Sequence, residues 1–170
     1  MLLLRCTHKV LKLFNQRPRQ VEVCAAETGL GEWYVNFTST GRDGFFLFVN
    51  AKSLYTLVVD ARSVASVDDL VQRMLRRLFL HMAELLVARE GLEKVAKEYG
   101  HVLVAKTASR SVLGSMNDLG NHLYWNMGQQ MEEAGRLDIR AIEEELNAIP
   151  QRPIGWRFAL DRFAELCAAL

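Results

Sequence analysis

Two hydrophobic periods run along this chain, close to two in the first third and close to 3.6 afterwards. Leu2 to Cys6 is a short apolar run that reads as a first strand. Thr7 is placed to cap a short helix with Val10, Leu11 and Phe14 on one face. Asn15 to Arg19 is polar, contains a proline, and reads as a loop. Trp33, Val35 and Phe37 then alternate with Tyr34, Asn36 and Thr38, the pattern of a half-buried strand. The turn formers Thr40 to Gly44 lead to the continuous apolar run Phe45 to Val49, fit for a central strand. Asn50 to Ser53 turns again, and Leu54 to Val59 makes the next strand. Short connections between these three strands predict an antiparallel meander.

The period then lengthens. Ser66 sets a hydroxyl at a helix start, with Asp68 and Asp69 in the first turn where the macrodipole favours them. Leu70, Val71, Met74, Leu75, Leu78, Phe79, Met82, Leu85 and Leu86 fill half of the helical wheel, and the pattern ends near Ala88. Glu93 to Tyr99 predicts a short helix closed by Gly100. Val102 to Ala105 is a β-rich run that returns to the sheet, expected beside the first strand. A helix from Ser109 or Ser111 carries Val112, Met116, Leu119 and Leu123 on one face. Asp138 caps a helix with Ile139, Ile142, Leu146 and Ile149 in register, and Pro150 ends it. Trp156, Leu160, Phe163 and Cys167 are expected on the inner face of a last helix. Early strands and late helices predict an α+β fold. A mostly antiparallel sheet of four to five strands would carry helices on one face, with a helical C-terminal half.

Size and charge narrow the functional classes. The chain has 170 residues, one domain's worth, so 1–170 is expected to fold as a single domain. Twenty-one Lys and Arg against twenty Asp and Glu leave a net charge of +1, which argues against a protein that coats a polyanion. Cys6, Cys24 and Cys167 are odd in number and widely spaced, so reduced thiols in the cytoplasm are expected rather than a disulfide framework. The histidines have no metal-ligand spacing, so no metal is expected, and no cofactor. No segment approaches the length of a membrane span, and no membrane partner is expected.

Lys106-Thr107-Ala108-Ser109-Arg110-Ser111 carries the chemistry. It joins a strand to a helix start and holds two cations and three hydroxyls in six residues. Free amides at a helix N-terminus favour an anion, so a phosphorylated ligand or a nucleic-acid backbone is the natural guest. Lys106, Thr107, Ser109, Arg110 and Ser111 are the candidate binding residues. Arg5, Thr7 and Lys9 join them if the first strand lies alongside. The Walker pattern is absent. A capping serine with two solvated cations explains the same residues without a ligand.

The same helix holds a polar stripe, Ser111, Ser115, Asp118 and His122. It differs from a Ser-His-Asp triad because the aspartate, not the histidine, stands in the middle. Asn117 and Asp118 are poor helix formers side by side, which marks them as neighbours of a site or as a kink. An enzyme site around them is one alternative function. A structural or interaction protein acting as a homodimer is the other, through Leu80 and Val87 or through Tyr124 and Trp125. The aromatic pair is otherwise expected to cover the core edge. Arg73, Arg76 and Arg77 make a second basic patch, read as a solvated face.

The run Lys-Thr-Ala-Ser-Arg-Ser-Val-Leu-Gly-Ser-Met-Asn-Asp over 106–118 resembles the signature of a family of small uncharacterised bacterial proteins. Leu4 to Leu11, Gly31 to Asn36, Phe46 to Asn50 and Leu146 to Pro150 resemble other segments of that family. The resemblance spans nearly the whole chain. It implies one full-length bacterial domain and carries over no ligand, activity or catalytic residue. His122 lies outside the signature.

Overall fold

The computed structural model describes residues 1–18, 28–40 and 43–170. Arg19, Cys24 and the Gly41–Arg42 part of the predicted turn lie outside the described residues. The strands are β1 (Leu2–Cys6), β2 (Trp33–Thr40), β3 (Asp43–Asn50), β4 (Thr56–Asp60) and β5 (Val102–Lys106). The helices are α1 (His8–Leu13), α2 (Val67–Glu84), α3 (Arg89–Glu98), α4 (Arg110–Ala134), α5 (Ile139–Asn147) and α6 (Ala159–Ala168). A small hairpin of β6 (Pro150–Gln151) and β7 (Arg157–Phe158), bridged by a 3-10 turn at Arg152–Ile154, precedes α6.

The fold is α+β, but its sheet is mixed rather than mostly antiparallel. Strand order is β4-β3-β2-β1-β5. The predicted meander is present, with β2, β3 and β4 antiparallel in succession. β1, however, runs parallel to both neighbours, β2 and β5. A helix stands between β1 and β2, and two helices precede β5. Such crossovers return the chain to the same end of the sheet, which forces parallel pairing. As expected, β5 lies beside β1, with Cys6 opposite Lys106.

Helices cover both faces, not one. On one face Leu2, Leu4, Trp33, Phe46, Phe48 and Leu57 meet buried residues of α1, α2, α3 and α6. On the other, Tyr34, Phe45, Leu47, Val49 and Val58 meet α4 and α5. The physical reason is visible in β3, where Phe45 through Val49 are all buried. A strand apolar at both parities needs cover on both sides.

Local signals set most helix starts. The side chains of Ser66, Ser109 and Asp138 each accept an amide of the first turn, from Asp69, Val112 and Ala141. Thr7 does not cap α1. Its hydroxyl donates to Asn36 Oδ1 at 2.9 Å instead. α2 stops at Glu84, and Leu86 adopts the left-handed φ of 56°. α3 starts at Arg89, earlier than predicted. In α6, Phe163 and Cys167 are buried and Leu160 is exposed, while Trp156 is exposed in the hairpin because the helix begins only at Ala159.

Candidate functional site

The carboxyl ends of β1 and β5 lie side by side, and the helices that follow diverge. α1 leaves β1 for one face, and α4 leaves β5 for the other. Such a switch point is a usual ligand position in open sheets. The segment 106–111 lies at this place.

The junction is held from below. Ser109 N–H donates to Tyr34 Oη at 3.0 Å, and Tyr34 Oη donates to Glu32 Oε1 at 3.2 Å. Arg5 Nε donates to Glu32 Oε2 at 2.6 Å and Arg5 Nη1 to the Lys106 carbonyl at 3.0 Å. Burial pushes the Tyr34 phenol above its ordinary range, against the opposing effect of the Ser109 amide. Arg5 is therefore a buried, paired support for the junction rather than an open cation.

Above this support the groups are free. Lys106 and Arg110 are exposed and form no ion pair among the described residues. The amides of Arg110 and Ser111 have no helical acceptor, as the first turn of any helix requires, and make no other bond among those residues. Thr107 is half-buried, and Lys9 is exposed on α1 at the same end of the sheet.

A groove of about 520 Å³ runs beside α4 from Ser111 to His122, with Gln151, Arg152 and Trp156 on its far wall. The polar stripe Ser111, Ser115, Asp118 and His122 lines this groove, with Ser115 buried and the other three exposed. Asn117 is exposed and does not line it. No hydrogen bond joins Ser115, Asp118 and His122 among the described residues, so the stripe lacks the relay of a triad.

A family model described as a domain of unknown function, DUF6933, matches residues 3–162. The chain belongs to this family. No curated protein matches it. The matched span includes β1 from Leu3, β2 to β5 and the whole of α4, and so the complete junction of this DUF6933 chain.

A second polar cluster in the DUF6933 chain escaped the hydrophobic pattern. Glu143 on α5 is fully buried and accepts Val58 N–H at 2.6 Å and Arg77 Nε at 2.8 Å. Arg77 Nη2 is a further donor, and His81 Nε2 lies at 3.1 Å. His81 Nδ1 meets Tyr55 Oη at 2.8 Å. With Nε2–H given to Glu143, the ring accepts the Tyr55 hydroxyl. Burial pushes the Glu143 pKa up, but the hydrogen bonds from His81 and Arg77 outweigh it and hold the carboxyl below its ordinary value. Burial pushes the Tyr55 phenol up. A cavity of about 280 Å³ borders the cluster. With each partner engaged, the arrangement clamps α5 to β4 and leaves no free base. A charge at Glu143, between Ile142 and Leu146 on the apolar arc, and His81 inside the arc of α2 were the readable signs.

Other candidate surfaces change character. The basic patch on α2 separates, since Arg73 pairs with Asp69 and Arg77 turns to Glu143. Leu80 is exposed, but Val87 packs on the core, so the two form no common patch. Tyr124 and Trp125 do not cover the core edge. They are 54% and 72% exposed and meet edge to face, with ring centroids 6.2 Å apart. Among the described residues no helix is long and apolar enough to cross a membrane. Cys6 and Cys167 are buried free thiols, both pushed up to about 12 by burial, which makes them poor nucleophiles.

Proposed function

We propose that this protein is a cytoplasmic bacterial binding module for a phosphorylated small molecule, which it holds at the junction of β5 and α4. One observation carries the reading: the amides of Arg110 and Ser111 and the cations Lys106 and Arg110, all without a partner among the described residues, stand at one strand-to-helix turn. The helix dipole, the amides and the charges all favour an anion there. Ser109 and Thr107 offer further hydroxyls, and Lys9 a further charge from α1. The resemblance over 106–118 covers the same junction. The net charge of +1 favours a small ligand over a nucleic acid.

The test is calorimetric titration with inorganic phosphate at constant ionic strength. Wild type is expected to bind, and Lys106→Ala with Arg110→Ala together to weaken binding by about tenfold or more, as loss of charge-assisted hydrogen bonds implies. Absence of phosphate binding, or equal binding by the double variant, overturns the reading.

The second reading is a homodimer, favoured by the exposed Tyr124 and Trp125 pair. Light scattering at high protein concentration decides it, and a monomer counts against it. An enzyme site at Asn117 and Asp118 is not favoured, because only Asp118 faces the groove.

A further inference from the structure

We propose that the groove beside α4 is a mononucleotide site, with the phosphate at the β5–α4 junction and the base on Trp156. This rests on the junction binding phosphate. It adds an occupant for the groove, and the residues that read it.

Ser115 and Gln151 supply the first argument. They are 6% and 7% exposed, both line the groove, and neither side chain makes a hydrogen bond among the described residues. Every fully enclosed side-chain nitrogen or oxygen among those residues has a partner. The free polar atoms of Ser115 and Gln151 therefore open to the groove. Two polar groups so nearly buried ask for hydrogen bonds from whatever fills the space.

Trp156 supplies the second. It is 68% exposed, yet its backbone is fixed at a φ of 60°, next to Gly155 at 75°. Its N–H donates to the Gln151 carbonyl at 2.9 Å, and the Gly155 N–H to the Arg152 carbonyl at 3.0 Å. A left-handed conformation suits glycine and strains an aromatic residue, and such strain collects at functional sites. Here the strained hairpin presents an indole to the groove wall where core packing does not require one. A flat heterocycle stacks on such a face irrespective of its sequence identity.

Asp118 supplies the third. Its carboxylate lines the groove about 10 Å along α4 from Ser111, beyond the sugar hydroxyls of a monophosphate held at the junction and at the depth of its base, where it is an acceptor for an amino or imino N–H. Ser111 belongs both to the junction and to the groove, so a phosphate at one end and a ring at the other are continuous. From Ser111 to His122 the helix advances about 16 Å. The volume, about 520 Å³, falls in the range of small-molecule sites. A bare sugar phosphate would leave Trp156 unused.

The full chain is titrated with each of the four nucleoside monophosphates, their nucleosides, inorganic phosphate and a single-stranded pentanucleotide. At least one monophosphate is expected to bind about tenfold more tightly than phosphate. Trp156→Ala should abolish that gain and leave phosphate affinity unchanged, while Trp156→Phe keeps most of it. Ser115→Ala should weaken the monophosphate alone. If phosphate binds and is weakened by Arg110→Ala, but no monophosphate binds more tightly, the nucleotide proposal falls and the junction reading stands. If neither phosphate nor any nucleotide binds, both fall. A pentanucleotide that outcompetes every monophosphate, with steep salt dependence, overturns the mononucleotide assignment in favour of a nucleic acid.

Discussion

Glu143, on α5, accepts the backbone N–H of Val58, on the outer strand β4, at 2.6 Å. One helical turn on, Asn147 Oδ1 accepts Thr56 N–H at 2.7 Å and its amide donates to the Thr56 carbonyl at 2.9 Å. β4 ends the sheet, so these backbone groups have no strand to pair with. Side chains of α5 take the place of a sixth strand and close an edge that would otherwise invite pairing with another chain.

Glu143→Ala should therefore cost about 3 kcal/mol, because Arg77, His81 and Val58 N–H all lose a partner inside the fold. The value is set toward the low end for a buried pair since the Arg77 side chain is 27% exposed. Glu143→Gln, which keeps the shape and one acceptor, should cost less. Urea unfolding of both variants checks the order. Equal stability of Glu143→Ala and wild type would show that the clamp contributes nothing.

The same carboxylate sets an acid dependence. Its pKa is lower in the folded protein than in the unfolded chain, where about 4.3 is usual. Its contribution is thus complete above the unfolded value and is lost as pH falls through the folded one. Wild type should lose stability on acidification below about pH 4, and Glu143→Gln should show a shallower loss over that window. Parallel pH profiles for the two proteins would sink the assignment.

The two described thiols should be silent. With pKa values pushed up to about 12, Cys6 and Cys167 carry almost no thiolate at pH 8. In a Cys24→Ser variant, a disulfide thiol reagent should detect no thiol while the protein is folded and both after denaturation. Fast reaction in the folded state contradicts their burial.

What could be read from residue order was local chemistry. Ser66, Asp138 and the pair Ser109 and Ser111, of which Ser109 is the cap, announced helix starts because a cap is decided within a few residues. The stripe Ser111, Ser115, Asp118 and His122 was legible as one face, but not the groove it lines. The opposite wall, with Gln151 and Trp156, comes from a hairpin with no periodic pattern. Parallel pairing of β1 was hidden because it depends on where α1 carries the chain, not on β1 itself. The unbroken run Phe45 to Val49 implies two-sided cover, whereas the order of early strands and late helices alone predicts helices on one face. Glu143 and His81 were missed because a polar residue within an apolar arc looks like an interruption, whereas here each meets the other.

Tyr34 couples the sheet to the proposed binding site, and Tyr34→Phe isolates that coupling. The ring is fully buried and would remain in place, so only the hydroxyl between Ser109 N–H and Glu32 is removed. Loss of a hydrogen bond at this half-buried amide costs about 1 kcal/mol, which thermal or urea unfolding should detect. Ser109 is also the residue that caps α4, so its release loosens the turn that holds the Arg110 and Ser111 amides in line. Phosphate affinity should fall severalfold although Tyr34 is not itself a proposed ligand contact, and Arg110→Ala should weaken binding without the same loss of stability. A Tyr34→Phe protein that is less stable but binds phosphate unchanged would show that the hydroxyl holds the fold alone. One that matches wild type in both would remove Tyr34 from the account of the junction.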